Sequence, residues 1–471
     1  MIEFRILIKD EDRLHLYLRS LNQSCYIKQY LDFEDVDQEW NIGFDKGITY
    51  LAKLKKDKYG EKDLYKNMTS MFKDLREYFY MEIEFRYVNS YNWKFNNIIT
   101  YIFICMKQYL KLLQDIKDKG TWKDAARENM PRTLSLFGTQ MRFNLQEGFP
   151  ILTTKKISFK NIVTELLWFL KGDTNIKYLV DNGCNIWNED AYNYYKKVVP
   201  PNHVTFEDFI EIIRRENKNY LPKEGNYIFG DCGKQYGWLW REWDGVKFDE
   251  NWDIEKTLKV DQISELINGL KNNPTGRRHI LTAWNPATLD DMALNACHCF
   301  VQFNCRPLSQ EERINISVAR DLGYPHIGDE EKVLDYDNIP KYYLDCKFTM
   351  RSNDVFLGNP YNVASYALLT HILAKICNME VGDLIADLGD DIYENHIDQV
   401  NEQLKRTLDE LPKLVFDNEF DLILNNYNDL TDDRYNNLSI LIENLHNNLF
   451  NIENYNPQPT IKGKLSTGLI K

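Results

Sequence analysis

Asn295-Ala296-Cys297-His298 sets a thiol beside an imidazole, and the character of the chain can be worked out from this tetrapeptide in both directions. Upstream runs Gly276-Arg277-Arg278-His279-Ile280-Leu281-Thr282-Ala283-Trp284-Asn285-Pro286. Downstream runs Arg351-Ser352-Asn353-Asp354-Val355-Phe356-Leu357-Gly358-Asn359-Pro360-Tyr361-Asn362. The thiolate rather than the thiol attacks carbon, so a nucleophilic Cys297 needs cations or dipoles close by. Arg277, Arg278 and Arg351 can supply that field and can also grip a phosphate through paired hydrogen bonds. Asn362 adds a carboxamide, with one acceptor and two donors. Nucleophile, anion clamp and amide together suit attack on a phosphorylated pyrimidine. A lone cysteine is more often a buried structural residue, and the surrounding motifs are what turn this one toward chemistry. A metal site on Cys297, His298 and Cys299 is the weaker reading, because adjacent strand residues point to opposite faces.

The 471 residues exceed an ordinary single domain, which predicts a main domain with an appendage. A content of 43% hydrophobic and 27% charged residues is that of a globular chain with a sizeable core. The net charge of −13 argues against a general nucleic-acid binder, which needs basic faces to displace counterions. Nine cysteines without framework spacing, and an opening without a secretory pattern, predict a reduced, cytoplasmic protein. No apolar run reaches the length of about 18 residues that a membrane span needs.

Residues 1–105 carry no nameable motif. Residues 1–9 and 83–88 alternate like strands, and 57–77 reads as polar and helical, so a small α+β appendage of unknown function is expected. Residues 109–119 have the spacing of an amphipathic helix. Residues 133–138 and 141–145 read as two paired strands joined at a glycine turn. Residues 159–170 read as a helix stopped at Gly172, with Asp173-Thr174-Asn175 as the next helix start. Residues 301–304 and 344–350 predict strands, and 362–376 a buried helix. Glu165 interrupts the apolar run of the 159–170 helix, where burying a carboxylate without purpose would be costly.

Seven stretches in order (133–154, 165–175, 236–241, 276–298, 351–366, 382–396 and 455–462) resemble the thymidylate synthase family, which includes the deoxypyrimidine-monophosphate hydroxymethylases. The resemblance runs from about residue 109 to 462 and implies a catalytic domain of residues 106–471, interrupted by polar insertions near 194–227, 306–341 and 425–453 that are expected as surface loops with short helices. It implies an α/β (α+β) fold, with a large mixed sheet and flanking helices. It also implies a homodimer with active sites shared across the interface, dUMP as substrate and 5,10-methylenetetrahydrofolate as cosubstrate. Neither a metal, a membrane nor nucleic acid is expected as a partner.

Roles carried over by resemblance give Cys297, with His298 beside it, the attack on C6 of the pyrimidine. Arg351 and Ser352 would hold the 5′-phosphate, joined by Arg277 and Arg278 from the second subunit. Asn362 would read N3–H and O4 of uracil, favouring dUMP over dCMP, since cytosine-specific members carry an aspartate there. Glu165 would manage protons around O4, Tyr236 would face the C5 proton, and Tyr393 would bond the ribose 3′-hydroxyl. Asp354 would hold the pterin, with Trp187, Ile186, Leu357 and Gly358 lining the folate site; an aromatic residue like Trp187 is otherwise more often core.

Departures from the family pattern are specific. Ala296 stands for the usual proline, Met350 for glutamine, Asp391 for the histidine of a His-x-Tyr pair and Asp190 for a second tryptophan. The arginine-bearing phosphate loop before Thr133 has lost its pattern, leaving Arg127 or Arg132 as stand-ins. The tail after residue 462 is longer than usual. Hydride transfer to the C5 methylene gives dTMP, whereas water gives 5-hydroxymethyl-dUMP, and exclusion of water decides between them. Synthase is the main expectation and hydroxymethylase the alternative. A non-catalytic, family-like shell is a third possibility, against which Cys297, Asn362, Asp354 and Glu165 stand together.

Overall fold

Residues 2–8 and 81–87 form strands, as their alternation predicts, and so do residues 31–42 and 45–54, for which no element is expected from the sequence. In the computed structural model β1 (Ile2–Ile8) pairs antiparallel with β4 (Met81–Tyr87), and β2 (Leu31–Ile42) with β3 (Asp45–Leu54). These strands belong to a compact unit of residues 1–104, distinct from a second unit of residues 105–471. The structure describes residues 2–8, 31–42, 45–54, 81–87, 106–125, 130–201, 203–320, 322, 330–428 and 434–464. The helix expected over 57–77 lies outside the described residues.

In the second unit, Tyr109, Leu112, Leu113 and Ile116 recur at helical spacing and form the buried stripe of α1 (Lys107–Lys119). The organising element is a six-stranded mixed sheet. Its strands are β5 (Thr121–Lys123), β6 (Thr133–Asn144), β11 (Ile280–Thr282), β12 (His298–Pro307), β13 (Tyr342–Asp354) and β14 (Glu380–Tyr393), in the spatial order β11-β12-β13-β14-β6-β5. Only β13 and β14 run parallel. Parallel neighbours need a long crossover, and here it is a helix, residues Gly358–Ile376. That helix is buried on nearly every side, among others at Val363, Tyr366, Leu369 and Leu373, as its almost uninterrupted apolar sequence requires. The remaining strands form three two-stranded sheets: the hairpins β7 (Lys223–Glu224) with β8 (Tyr227–Ile228) and β9 (Trp243–Phe248) with β10 (Ile254–Val260), and β15 (Lys413–Phe416) with β16 (Phe450–Glu453), which helices separate in the chain. No helix among the described residues is long and apolar enough to cross a membrane.

Three expectations are corrected. Residues 133–145 are not a hairpin but largely one strand, β6, which pairs with β14 along its length except at Gly138. Gly138 lies within it at φ +82° as the extra residue of a bulge, where the register steps from Thr139↔Leu388 to Phe137↔Gly389. After α2 (Phe159–Leu170), the next helix starts not at Asp173-Thr174-Asn175 but at Lys177. Asp173 Oδ1 instead accepts the N–H of Asn175 at 3.0 Å, and Asn175 Oδ1 accepts that of Lys177 at 2.9 Å. The polar insertions are also more than surface loops. Helix α3 (Phe206–Arg215) buries Phe209, Ile210 and Ile213, and the third insertion buries Leu438, Leu441, Ile442 and Phe450.

Candidate active site

The segment before β12 is held from behind by a tyrosine. Tyr236, the first residue of helix α4 (Tyr236–Arg241), is buried, and its hydroxyl oxygen accepts the N–H of Cys297 at 2.8 Å and that of His298 at 3.4 Å. Burial first, then the neighbouring Cys297, keeps this hydroxyl protonated far above the ordinary tyrosine range. The two N–H bonds fix the backbone on which the half-buried Cys297 side chain stands. The cysteine S–H points to the carbonyl of Asn295 at 3.7 Å.

Arg351 reaches this segment from the end of β13. Its Nε donates to the Ala296 carbonyl at 2.9 Å and its Nη2 to the Asn295 carbonyl at 2.8 Å. The same Nη2 lies 3.7 Å from Cys297 Sγ, and the guanidinium sits 5.5 Å over the Trp284 ring. A cation at that distance favours the thiolate, the form that attacks carbon. Ser352, next on the strand, is half-buried. Arg277 and Arg278 stand exposed on the segment that leads into β11.

His298 is half-buried, with Nδ1 2.9 Å from the Tyr366 hydroxyl, and desolvation lowers its pKa to about 4, so the imidazole is neutral. Its ring lies 4.9 Å from that of Tyr236, which in turn lies 6.2 Å from Trp187. Trp187 also packs edge-on against Trp168 and Phe169, so it is part of the core. Its indole N–H donates to Glu165 Oε1 at 2.7 Å. Burial raises the pKa of the Glu165 carboxyl to about 7.

On the other side of the Arg351 strand end, Asp354 turns its carboxylate back on the following backbone. Its Oδ1 accepts the N–H groups of Phe356 and Leu357, each at 3.0 Å, and burial raises its pKa. His396 Nδ1 lies 3.8 Å from that oxygen. Lys155 is buried, donates to the Phe356 carbonyl and lies 3.6 Å over the Phe356 ring, and desolvation lowers its pKa to about 7. Leu357 is half-buried and Ile186 is 37% exposed. Gly358 opens helix α5 (Gly358–Ile376), and Asn362, in that helix, donates through Nδ2 to Asn353 Oδ1 at 3.4 Å. Tyr393 closes β14, with its ring edge-on to His396 at 5.9 Å.

The tail lies along the Asp354 side. Gln458 N–H donates to the Thr153 carbonyl and the Lys156 N–H to the Gln458 carbonyl, both at 2.8 Å, while Arg406 holds the Pro459 carbonyl at 2.5 Å. Further on, His396 Nε2 bonds the Lys464 carbonyl at 2.8 Å. Gly463 packs so closely that a Cβ there would come within 2.9 Å of the Phe356 ring.

The structure thus groups Cys297, His298, Tyr236 and Arg351 by direct hydrogen bonds and links Glu165 and Trp187 to them through aromatic contacts. Asp354, Leu357, Gly358 and Asn362 follow from one turn of chain. Arg132, a candidate replacement for the phosphate-loop arginine, is engaged elsewhere: it pairs with Glu394 and sits 5.0 Å over Trp122. Arg127 lies outside the described residues. Tyr366, His396, Lys155 and Asn353 were missed as site residues. Tyr366 carried a signal, its four-residue spacing from Asn362 on a helix, whereas His396 and Lys155 are brought in only by tertiary packing. Among the described residues, no group of three His, Cys, Asp or Glu side chains is arranged to hold a metal ion.

Comparison with known proteins identifies the family. The profile of the family described as thymidylate synthase matches residues 107–467. The chain is 41% identical to a protein named thymidylate synthase from Mesoplasma florum over 315 residues, covering 67% of this chain and 90% of that one. It is 35% identical over 377 residues to a protein of the same name from Listeria monocytogenes serotype 4a, and 36% identical to one from Listeria innocua serovar 6a. In both cases the match covers 77% of this chain and all of the relative.

Proposed function

We propose the following roles for individual residues from the premise that the chain belongs to the thymidylate synthase family and methylates dUMP to dTMP. The observation that carries them is Cys297, pinned through its backbone by Tyr236 with the Arg351 guanidinium 3.7 Å from its sulfur.

Cys297 adds as the thiolate to C6 of the base, which makes C5 a carbon nucleophile. Arg351 and Ser352 hold the 5′-phosphate, together with Arg277 and Arg278 of a second copy. Asn362 accepts N3–H and donates to O4 of the uracil ring. Tyr393 bonds the ribose 3′-hydroxyl. Neutral His298, tied to Tyr366, supports the polar network beside the base. Glu165, with a pKa of about 7, can give a proton toward O4 and take one back near neutral pH. The Tyr236 oxygen, anchored by two backbone N–H groups, faces the proton that leaves C5.

The residues around Asp354 fit a folate. Two backbone N–H groups aim its carboxylate as an acceptor for a pterin N–H, and Ile186, Trp187, Leu357 and Gly358 offer an apolar wall with little bulk at Gly358. 5,10-Methylenetetrahydrofolate supplies the one-carbon unit and the hydride. The tail, tied down by His396, Arg406 and Thr153, keeps water from that side, which favours hydride transfer and supports the synthase over the hydroxymethylase. No metal enters this scheme. The functional unit is a cytoplasmic homodimer whose catalytic domain is residues 106–471, with residues 1–105 and the three insertions outside the chemistry.

The test is mass spectrometry of the nucleotide formed from dUMP and 5,10-methylenetetrahydrofolate, with dihydrofolate followed by absorbance. A methyl product with equimolar dihydrofolate is expected. A hydroxymethyl product without folate oxidation would overturn the synthase reading. Cys297→Ser should retain the fold but lose the covalent ternary complex and at least ~10³-fold of turnover, and full-rate turnover by this variant would refute the nucleophile.

A further inference from the structure

Asn353 is 2% exposed near the end of β13, between the phosphate clamp of Arg351 and Ser352 and the carboxylate of Asp354. Its Oδ1 accepts Asn362 Nδ2 at 3.4 Å, while its own Nδ2 is buried without a hydrogen-bond partner. An unpaired buried N–H group costs ~1–3 kcal/mol, so the Asn353 amide is not there to satisfy itself. The proposed roles give it no task.

A carboxamide can face a base in two ways. With its oxygen toward N3 and its NH₂ toward the exocyclic group, Asn362 accepts uracil N3–H and donates to O4. Turned over, it donates to cytosine N3 and accepts from the cytosine amino group. An asparagine therefore does not choose between the two bases unless something fixes its orientation. The Asn353 oxygen lies on the Nδ2 side of Asn362, where it attracts an N–H and repels a carbonyl oxygen. The flank of this pair is Gly358, whose missing side chain would reach to 3.7 Å from Asn362 Nδ2 and 3.9 Å from Asn353 Oδ1, so no side chain at 358 competes for the bond.

We propose that Asn353 is a positioning residue that makes the site select uracil over cytosine nucleotides by fixing the orientation of the Asn362 amide. This rests on the reading of Asn362 as the group that contacts the base. The two statements are separable by experiment.

Dissociation constants of dUMP and dCMP are measured by calorimetry for the full chain and for Asn353→Ala, Asn353→Asp and Asn362→Asp. Asn353→Ala removes the unpaired donor along with the acceptor, so the fold should persist, and its melting temperature is recorded alongside. Discrimination between dUMP and dCMP should fall about tenfold in Asn353→Ala, the worth of one hydrogen bond in a site. Asn353→Asp keeps an oxygen toward Asn362 and should retain discrimination within ~3-fold. A merely structural role would weaken both nucleotides alike and leave their ratio unmoved, and that result overturns the proposal. If Asn362→Asp moves the ratio and Asn353→Ala does not, only the role of Asn353 falls. If neither moves it, the reading of Asn362 falls as well.

Discussion

At the scale of single residues, Glu165 is a group whose protonation the fold controls directly. Its carboxyl ordinarily titrates near 4.5 and here near about 7, so the folded chain binds that proton more tightly than the unfolded one. The stability linked to this group is fully present below about pH 4.5 and is lost as pH rises through about 7. By the usual conversion the loss amounts to about 3 kcal/mol. Glu165→Gln should therefore melt higher than the wild type at pH 8 and nearly equal to it at pH 4.5, and thermal unfolding at the two values checks this. The same variant should lose ~10²-fold or more in kcat, since a neutral amide cannot pass a proton. Wild-type activity at pH 8 would remove Glu165 from the chemistry. The position of this residue was legible: a carboxylate inside an apolar helical stripe is conspicuous. The value of its pKa was not, because it depends on Trp187 and the rings around it, which only the folded chain assembles.

At the scale of elements, the bulge in β6 shows where local sequence stops informing. A glycine between two alternating runs fits a hairpin turn and a bulge equally well. The choice is made by β14, some 250 residues later, which pairs with β6 along its length except at Gly138. Helix α2 was legible because its apolar spacing is self-contained, and the buried faces of the insertion helices were hidden by their polar composition. Gly138→Ala must hold a Cβ at φ +82° and should destabilise the domain by about 1–2 kcal/mol, read from the urea midpoint at unchanged m-value. The tail yields a sharper prediction. A side chain at Gly463 meets the Phe356 ring, so Gly463→Val should lift the tail away from the Asp354 side. The apparent KM for the folate should rise about tenfold or more, and hydroxymethyl nucleotide should appear among the products by mass spectrometry. An unchanged KM and a purely methyl product would mean that the tail does not shield the site.

At the scale of the molecule, one face of the six-stranded sheet is open. It carries Phe300, Ile385, Gln140 and Arg142, with Lys347–Asp387 and Arg142–Asp383 ion pairs across neighbouring strands. Arg277 and Arg278 stand exposed in the same unit. A homodimer in which each copy lends these arginines to the other predicts complementation. Chains carrying Arg278→Ala and chains carrying Cys297→Ala should each be nearly inactive alone. After mixing and re-equilibration they should recover roughly a quarter of wild-type activity, because half the dimers are then mixed and each holds one intact site. No recovery, with subunit exchange verified by native mass spectrometry, would show that each site is built from a single chain. Sharing of this kind is implied here by resemblance alone, since a two-fold interface leaves no periodic mark on a chain.

The hydrogen bond from the Trp187 indole to Glu165 also makes the protein its own optical indicator. Indole emission responds to whether an adjoining carboxyl carries its proton, so part of the fluorescence should follow a sigmoid with a midpoint of about pH 7. Trp187→Phe identifies that component among the ten tryptophans. A nucleotide that displaces the Glu165 proton would then be seen as a shift in colour or brightness, without label, coupled assay or turnover.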